Sequence, residues 1–262
     1  RDFGYDVVMW TRESVDYHDT KLLNKSLLNH NPDVLINCSG FTGKPNVDEA
    51  ELKKEECWKL NVTSPLEVNR ICNKLGIRYV HISSGCIYDG YSKNYEEGDS
   101  PNFGLFNDSS FYSKSKHGFE LMSRNLVNKI IRIRMPISPD NNPRSYLTKI
   151  LKYDNLIDYR NSKTYIPDLC IFVEKLLEVD DVGFWQGQDI YNVVNYTPLS
   201  TNEVIDILKE YGIFNPNWNM VDIKTLDIKA PRSNCILSSD KADRIYAMRD
   251  ESEILREVSK CY

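Results

Sequence analysis

The chain has 262 residues, 41% of them hydrophobic and 27% charged, which is typical of a globular protein and unlike a disordered or fibrous one. Lys and Arg number 33 and Asp and Glu 38, so the formal net charge of −5 argues against a dedicated nucleic-acid or membrane-surface binder, which would carry a basic excess. No apolar run approaches the roughly 18 residues of a membrane span. We therefore expect partners that are neither nucleic acids nor membranes.

Cysteine and histidine usage gives no sign of disulfides or metal. The seven cysteines are an odd number, are scattered and form no Cys-x-x-Cys pair, and the four histidines lack metal-ligand spacing. This pattern favours a reducing cytoplasm and predicts no metal site.

Apolar runs and amphipathic stretches alternate along the first half of the chain, which predicts a parallel sheet with crossover helices. The predicted order is a strand at 5–10, a helix at 19–30, a strand at 33–38, helical residues from 49 to 75, a strand at 78–84, a long polar loop at 85–110, a helix from about 110 to 127 and a strand at 129–134. The run at 33–38 is continuously apolar, as in strands that are buried on both faces.

The sequence pattern changes after Pro136, where the predicted elements become shorter and the segments between them more polar. We expect an α/β fold, a Rossmann-type doubly wound parallel sheet in residues 1–140 followed by a smaller mixed α/β substrate-binding region in 141–262, with interleaving of the second region into the sheet left open. Ser200 and Glu203 form a capping-box pattern that begins a helix ending at Gly212.

A dinucleotide-binding sheet normally begins with a strand, a Gly-rich turn and a helix whose N-terminus holds the pyrophosphate. Neither G-x-G-x-x-G nor the looser G-x-x-G-x-x-G occurs here. The sequence reads as if it opened at the second strand of such a sheet. We therefore expect it to begin about 25 to 30 residues late, by one β-turn-α unit.

Tyr112 and Lys116 form the most informative polar pair. Residues i and i+4 share one helix face, so the ammonium group can approach the phenol, lower its pKa and make it a usable proton donor and acceptor. The same spacing occurs at Tyr17/Lys21 and Tyr159/Lys163 and is weak alone. Here, however, a preceding strand ends at Ser83-Ser84, which places a hydroxyl where it suits a substrate carbonyl.

Seven segments resemble the extended short-chain dehydrogenase/reductase family. They are FTGKPNVD (41–48), SSGCIYDG (83–90), SPNF (100–103), SFYSKSK (110–116), RIRMPIS (132–138), NPRSYLTK (142–149) and APRSN (230–234). Within that family they are most similar to the bifunctional 3,5-epimerase/4-reductases that complete UDP-L-rhamnose in plants. The resemblance implies NAD(P) binding by residues 1–140, UDP-4-keto-6-deoxy-D-glucose as substrate, UDP-L-rhamnose as product, and NADPH as reductant, with NADH left open.

The resemblance also implies the roles of the reducing residues. Tyr112 would protonate O4 while hydride arrives at C4, and Lys116 would tune Tyr112 and hold the nicotinamide ribose. Ser84, which stands where the plant proteins have Thr, would bind the C4 carbonyl. Asn61 would support Lys116.

Cys86 and Lys149 would account for epimerisation. Protons at C3 and C5 are acidic because both carbons flank the C4 ketone, and inversion needs a base on one face of the ring and an acid on the other. A thiol and an amine can serve as that pair, because both are tunable toward a neutral pKa.

Cofactor and substrate contacts are expected at the ends of the strands. The small residues after the 33–38 strand would approach the dinucleotide, Arg12 would pair with a 2′-phosphate, and the 134–137 segment would pack on the nicotinamide. The expected cofactor residues are Arg12, Asn37, Cys38, Ser39, Gly40, Lys116, Met135 and Pro136. The expected nucleotide-sugar residues are Arg232 and Asn234 for the diphosphate, with Asn102 and Lys44 from loops.

Three other functions remain open. A GDP-4-keto-6-deoxymannose epimerase/reductase would share the serine–cysteine turn, and a dTDP-4-dehydrorhamnose reductase would need Tyr112 and Lys116 but not Cys86. A non-catalytic nucleotide-binding regulatory subunit is disfavoured, because it has no use for all five reactive side chains. A homodimer is also left open.

Overall fold

The computed structural model describes residues 4–11 and 13–260. Its helices are α1 (Thr20–His30), α2 (Glu49–Leu52), α3 (Lys54–Trp58), α4 (Ser64–Leu75), α5 (Phe111–Met122), α6 (Tyr146–Lys152), α7 (Ile166–Leu177), α8 (Thr201–Glu210) and α9 (Glu251–Val258). Its strands are β1 (Val34–Asn37), β2 (Arg78–Ser84), β3 (Gly90–Tyr95), β4 (Asn128–Ile133), β5 (Pro136–Ile137), β6 (Asn155–Leu156), β7 (Thr164–Tyr165), β8 (Gln188–Asn192), β9 (Asn219–Met220) and β10 (Cys235–Leu237). None of the helices so described is both long and apolar enough to cross a membrane.

The main sheet is parallel and has the strand order β1-β2-β4-β8. The predicted parallel α/β fold is therefore confirmed. Its fourth strand, β8, comes from beyond residue 140 and pairs with β4. Because all four strands run the same way, the carboxyl ends of β1, β2 and β4 meet at one edge, where open α/β sheets bind their ligands.

Helices cover both faces of this sheet. Ile130 on β4 packs with Leu23 of α1 and Phe119 of α5 in one apolar cluster. The next residue, Ile131, packs with Phe172 and Leu176 of α7 in another. Successive strand residues point to opposite faces, so a strand buried on both sides reads as the continuous apolar run seen in the sequence.

A separate apolar cluster holds the C-terminal elements together. Leu147 of α6, Val204 and Leu208 of α8, and Ile254 of α9 are buried in it. The predicted capping box begins α8, since the Ser200 hydroxyl accepts from the backbone of the third helical residue and the glutamate side chain there returns the bond.

Three sequence-based boundaries were wrong. Residues 5–10 form no strand, because a strand needs a backbone partner and, among the strands described, β1 pairs only with β2. The predicted loop at 85–110 contains β3, which pairs with β10. The helix predicted to reach 127 ends at Met122, because the Asn73 side chain binds both backbone polar groups of Val127 and holds it in a loop.

Candidate active site

The carboxyl edge of the sheet brings the predicted reducing residues together. Ser84 is the last residue of β2, and α5 begins where the Ser110 hydroxyl accepts from the backbone amide of Ser113. Tyr112 therefore lies in the first turn of α5, and Lys116 lies one turn later on the same face. All three side chains are buried.

Ser84 links the phenol to a thiol. Its Oγ donates to Cys86 Sγ at 3.0 Å and accepts from the Cys86 amide at 3.3 Å. A side-chain hydrogen bond also joins Ser84 to Tyr112. Cys86, a half-buried free thiol, packs against the apolar cluster that contains Tyr112 and Phe41. One hydroxyl thus contacts both the expected proton donor and the expected epimerising thiol.

The expected lowering of the Tyr112 pKa was wrong in direction. Burial, and then the nearby Cys86 thiol, raise the pKa of Tyr112 above its ordinary value of 10.0, while the Ser84 hydrogen bond and Arg134 oppose this. Desolvation of the phenolate outweighs the favourable interactions. Tyr112 is therefore protonated at neutral pH, which is the form that a reduction requires.

Lys116 is a buried amine close to the expected cofactor position. Its Nζ lies 5.8 Å from the centre of the Tyr112 ring. Burial lowers the pKa of Lys116 below its ordinary value of 10.5, against the opposing effect of the Cys57 and Cys86 thiols. A methyl group added at Gly40 would stand 3.4 Å from this Nζ. The glycine therefore leaves open space beside the amine, at the end of β1.

Asn61 lies in a π-helical turn, Lys59–Thr63, between α3 and α4. Its Oδ1 accepts from the Phe41 amide at 2.7 Å, and its Nδ2 donates to the Phe41 carbonyl at 3.0 Å and to Ser115 Oγ at 2.9 Å. The side chain thus ties the loop after β1 to α5. This arrangement positions Gly40 and Lys116, and short π-helical turns are frequent at functional sites.

The segment after β1 offers both side-chain anchors and open backbone. Asn37 donates to Tyr79 Oη at 2.8 Å and accepts from Ser39 through both its amide and its hydroxyl, whereas Cys38 and Gly40 are exposed. A methyl group at Gly40 would stand 2.9 Å from Asn61 Oδ1, which is too close for van der Waals contact. Only glycine therefore allows the backbone to pass this close to Asn61. The arrangement fits a nicotinamide dinucleotide. Arg12, expected to select its phosphate, lies outside the described residues.

Met135 and Pro136 follow β4 at the same edge. Met135 has a positive φ of 34°, which is strained for a residue with a side chain, and Pro136 begins β5. Arg134, directly before them, is 2% exposed. Sequence reasoning included Arg134 only in the 134–137 segment expected to pack on the nicotinamide and gave its side chain no role, although an arginine ending a buried strand was a usable signal.

Lys149 lies on α6, which follows β5. Burial, and then the charge of Arg144, lower the pKa of Lys149 below 10.5. The Arg144 guanidinium donates to Thr42 Oγ1, which draws the 142–149 segment toward the loop after β1. Within the described residues no recorded contact joins Lys149 to the group formed by Ser84, Cys86 and Tyr112.

Three of the expected nucleotide-sugar residues form hydrogen bonds within the protein. Arg232 is engaged by Asp48, with Nη1–Oδ1 at 2.7 Å and Nη2–Oδ2 at 3.1 Å, a partner that sequence reasoning missed. Asn234 accepts from Asn161 Nδ2 at 3.0 Å. Asn102 braces a loop, since its amide exchanges two hydrogen bonds with the Asp89 backbone.

Lys44 is exposed and forms a cis peptide bond with Pro45. No group of three or more His, Cys, Asp or Glu side chains that could hold a metal ion occurs in the part of the chain that the structure describes.

Sequence comparison identifies the family. The profile described as the RmlD substrate binding domain matches residues 2–249. The chain belongs to this family. It is 33% identical over 221 residues to the bifunctional dTDP-4-dehydrorhamnose 3,5-epimerase/dTDP-4-dehydrorhamnose reductase of Arabidopsis thaliana, covering 80% of this chain and 70% of the relative.

A trifunctional UDP-glucose 4,6-dehydratase/UDP-4-keto-6-deoxy-D-glucose 3,5-epimerase/UDP-4-keto-L-rhamnose-reductase of the same plant is 31% identical over 237 residues. That match covers 85% of this chain but only 34% of the relative, so the chain spans about a third of that protein.

Solved structures of similar fold include the L780 UDP-rhamnose synthase of Acanthamoeba polyphaga mimivirus. It matches with a TM-score of 0.82 and 28% identity over 99% of this chain and 91% of that one. A dTDP-4-dehydrorhamnose reductase of Bacillus anthracis, in complex with NADP, has a TM-score of 0.81 but 19% identity over 97% and 89% of the two chains, and so supports the fold alone. The expectation of an oxidoreductase and epimerase type of enzyme from rhamnose nucleotide-sugar synthesis is confirmed.

Proposed function

We propose that this protein is an NADPH-dependent 3,5-epimerase/4-ketoreductase that converts UDP-4-keto-6-deoxy-D-glucose to UDP-L-rhamnose. The observation that carries the proposal is the contact of Ser84 with both Cys86 and Tyr112. A reductase needs the hydroxyl and the phenol, but it has no use for a thiol within 3.0 Å of that hydroxyl. An enzyme that epimerises the sugar before reducing it does have a use for that thiol.

In the reduction, Tyr112 acts as the acid. The bound nicotinamide supplies the hydride that arrives at C4. Ser84 turns its hydroxyl to the C4 carbonyl oxygen, and Tyr112 gives that oxygen a proton as the C–O double bond becomes single. Lys116, whose buried Nζ lies on the same side of α5, orients the ribose through the space beside Gly40 and returns Tyr112 to its protonated form.

In the epimerisation, Cys86 and Lys149 act on the ring before reduction. The proton of a carbon adjacent to C4 passes to the base of this pair, and the electron pair of the broken C–H bond forms a C–C double bond as C4 oxygen becomes negative. The other member of the pair then returns a proton to the opposite face, and the carbonyl re-forms. The pKa of Lys149, lowered by burial, makes its neutral amine more available at neutral pH.

The substrate and cofactor residues complete the proposal. Arg232 and Asn234 would hold the diphosphate, with Asn102 and Lys44 at the periphery, and Asn37 to Gly40, Met135 and Pro136 would face the dinucleotide. We assign residues 1–140 to cofactor binding and residues 141–262 to substrate binding. All six described cysteines are free thiols, in keeping with a reducing compartment such as the cytoplasm.

The proposal is tested by offering the full-length protein each of three 4-keto-6-deoxy sugar nucleotides, carrying UDP, dTDP or GDP, with NADPH or NADH. NMR identifies the products. We expect UDP-L-rhamnose from the UDP sugar, formed faster with NADPH. A reduced product that keeps the D configuration at C5 would contradict epimerisation and favour a plain reductase. Faster turnover of the dTDP or GDP sugar would contradict the nucleotide assignment, and no turnover of any sugar would favour a regulatory subunit.

A further inference from the structure

Arg134 is a buried arginine whose side chain hydrogen-bonds only to uncharged acceptors in the part of the chain described. Its Nη1 donates to the Gly85 carbonyl at 3.2 Å and to Ser233 Oγ at 2.8 Å. Its Nη2 donates to Asn161 Oδ1 at 2.6 Å and to the Ser233 carbonyl at 3.1 Å. No carboxylate of the described residues forms an ion pair with it.

Arg132, two residues earlier, shows what this protein does with another buried arginine. Its guanidinium meets Glu120, with Nη2–Oε2 at 2.7 Å, and both side chains are almost fully buried. Burying a charge without an opposite charge is strongly unfavourable. The buried guanidinium of Arg134 therefore lowers the stability of the fold, and the groups that it contacts indicate its role.

The groups that bond to Arg134 come from two parts of the site, the turn that carries Cys86 and the 230–234 segment. Gly85 directly precedes Cys86, and Ser233 lies between Arg232 and Asn234. Asn161, the third acceptor, also donates to Asn234 Oδ1 at 3.0 Å. Because a guanidinium is a planar and rigid fork, these bonds fix the turn that carries the thiol against the 230–234 segment.

The charge of Arg134 also reaches the reactive groups. Although burial opposes its charge, the thiols of Cys235 and Cys86, followed by Tyr91 and Asp89, raise the pKa of Arg134 above its ordinary value. A nearby fixed cation makes a thiol more reactive.

We propose that Arg134 is the positioning residue for Cys86: it fixes the turn that carries the thiol, and its charge, which no ion pair of the described residues neutralises, activates the thiol for proton transfer. The part of Cys86 in proton transfer rests on the proposed function, but its activation by Arg134 is measurable without any substrate.

The test is the alkylation rate of each cysteine by iodoacetamide, followed by peptide mass spectrometry. Arg134→Gln removes the charge, and Arg134→Lys retains it. Asn161→Asp keeps Arg134 but places a carboxylate against it. We expect Cys86 to react about tenfold more slowly than wild type in Arg134→Gln and Asn161→Asp, and within about threefold of wild type in Arg134→Lys.

Cys170, an exposed cysteine on α7, is the internal reference and should react at the wild-type rate in all variants. Alkylation of the buried Cys57 and Cys72 reports loss of the fold. If Arg134→Gln loses its fold by this measure, Asn161→Asp and Arg134→Lys decide the question. A wild-type rate of Cys86 alkylation in folded Arg134→Gln or folded Asn161→Asp would overturn the inference. Slow alkylation of Cys86 together with unchanged deuterium exchange at C3 and C5 of the sugar would uphold it and contradict instead the role of Cys86 in the proposed function.

Discussion

The Ser84 hydroxyl donates to the Cys86 thiol at 3.0 Å while also bonding the Tyr112 side chain. This places the groups expected for epimerisation and for reduction within one hydrogen-bonded unit. A substrate carbonyl that takes over the Ser84 hydrogen bond would release the thiol and meet the phenol. The two reactions would therefore share a single position of the C4 carbonyl.

Tyr112→Phe is expected to slow reduction by about 10²- to 10⁴-fold, because it removes the proton donor and little else. NADPH oxidation with the 4-keto sugar measures the rate, and equilibrium binding of UDP should change little. Tyr159→Phe is the matched control, since Tyr159 has the same spacing from Lys163 but lies outside the helices. A Tyr112→Phe enzyme that keeps half the wild-type rate would remove Tyr112 from the reaction.

Gly40→Ala is expected to weaken NADPH binding by about tenfold or more. The new methyl would stand 2.9 Å from Asn61 Oδ1, which is held by the Phe41 amide at 2.7 Å, and would narrow the space beside Lys116. Gly98→Ala is the control, because a methyl there meets no atom within 4 Å. Fluorescence titration with NADPH measures both variants, and equal affinities would exclude close approach of the cofactor at Gly40.

Arg144→Gln is expected to displace the pH profile of deuterium exchange to higher pH. The Arg144 charge contributes to lowering the pKa of Lys149, so its removal raises that pKa and leaves less neutral amine near pH 7.5. Exchange there should fall on the order of threefold. Thr42→Val, which removes the Arg144 hydrogen bond but not the charge, should leave the profile in place. An unmoved profile in Arg144→Gln would argue against proton transfer by Lys149.

Lys163→Met is expected to lower the free energy of unfolding by about 3–5 kcal/mol, because it leaves the buried Glu251 carboxyl without its partner at 2.6 Å. Burial already raises the pKa of Glu251 from 4.5 to about 7, with Lys163 opposing. Without Lys163 the folded-state pKa of Glu251 rises further, so the loss relative to the wild type should be greater at pH 8, above the wild-type value of about 7, than at pH 5.

Urea unfolding at pH 5 and pH 8 measures this dependence. The double variant Lys163→Met/Glu251→Gln should recover much of the loss at pH 8, since no charge is then left buried. Equal stability of wild type and Lys163→Met at both pH values would show that the pair does not stabilise the fold.

Much of the fold, and the grouping of Ser84, Tyr112 and Lys116, was predictable because the sequence signals for them are local. The Ser110 cap, the four-residue spacing of Tyr112 and Lys116 and the apolar run of β2 each act within a few residues. The Asp48–Arg232 and Arg134–Ser233 contacts join residues 184 and 99 positions apart, which no local pattern reveals. The strand expected at 5–10 was wrong for a related reason, because alternation predicts an extended segment but not its partner.

The direction of the Tyr112 pKa shift was also beyond sequence reasoning. Spacing places Lys116 near the phenol, but the sign depends on how deeply both groups are buried. In the folded protein burial raises the pKa of Tyr112 and lowers that of Lys116.

The central claim is that Cys86 exchanges protons with the sugar ring, and deuterium exchange tests it most directly. In D₂O without NADPH, the wild type should incorporate deuterium at C3 and C5 of UDP-4-keto-6-deoxy-D-glucose. Cys86→Ala should suppress that exchange by about a hundredfold, yet still reduce a ketone already in the L-rhamnose configuration, because Ser84, Tyr112 and Lys116 are untouched. Exchange by Cys86→Ala at the wild-type rate would contradict the account and leave a plain 4-ketoreductase in its place.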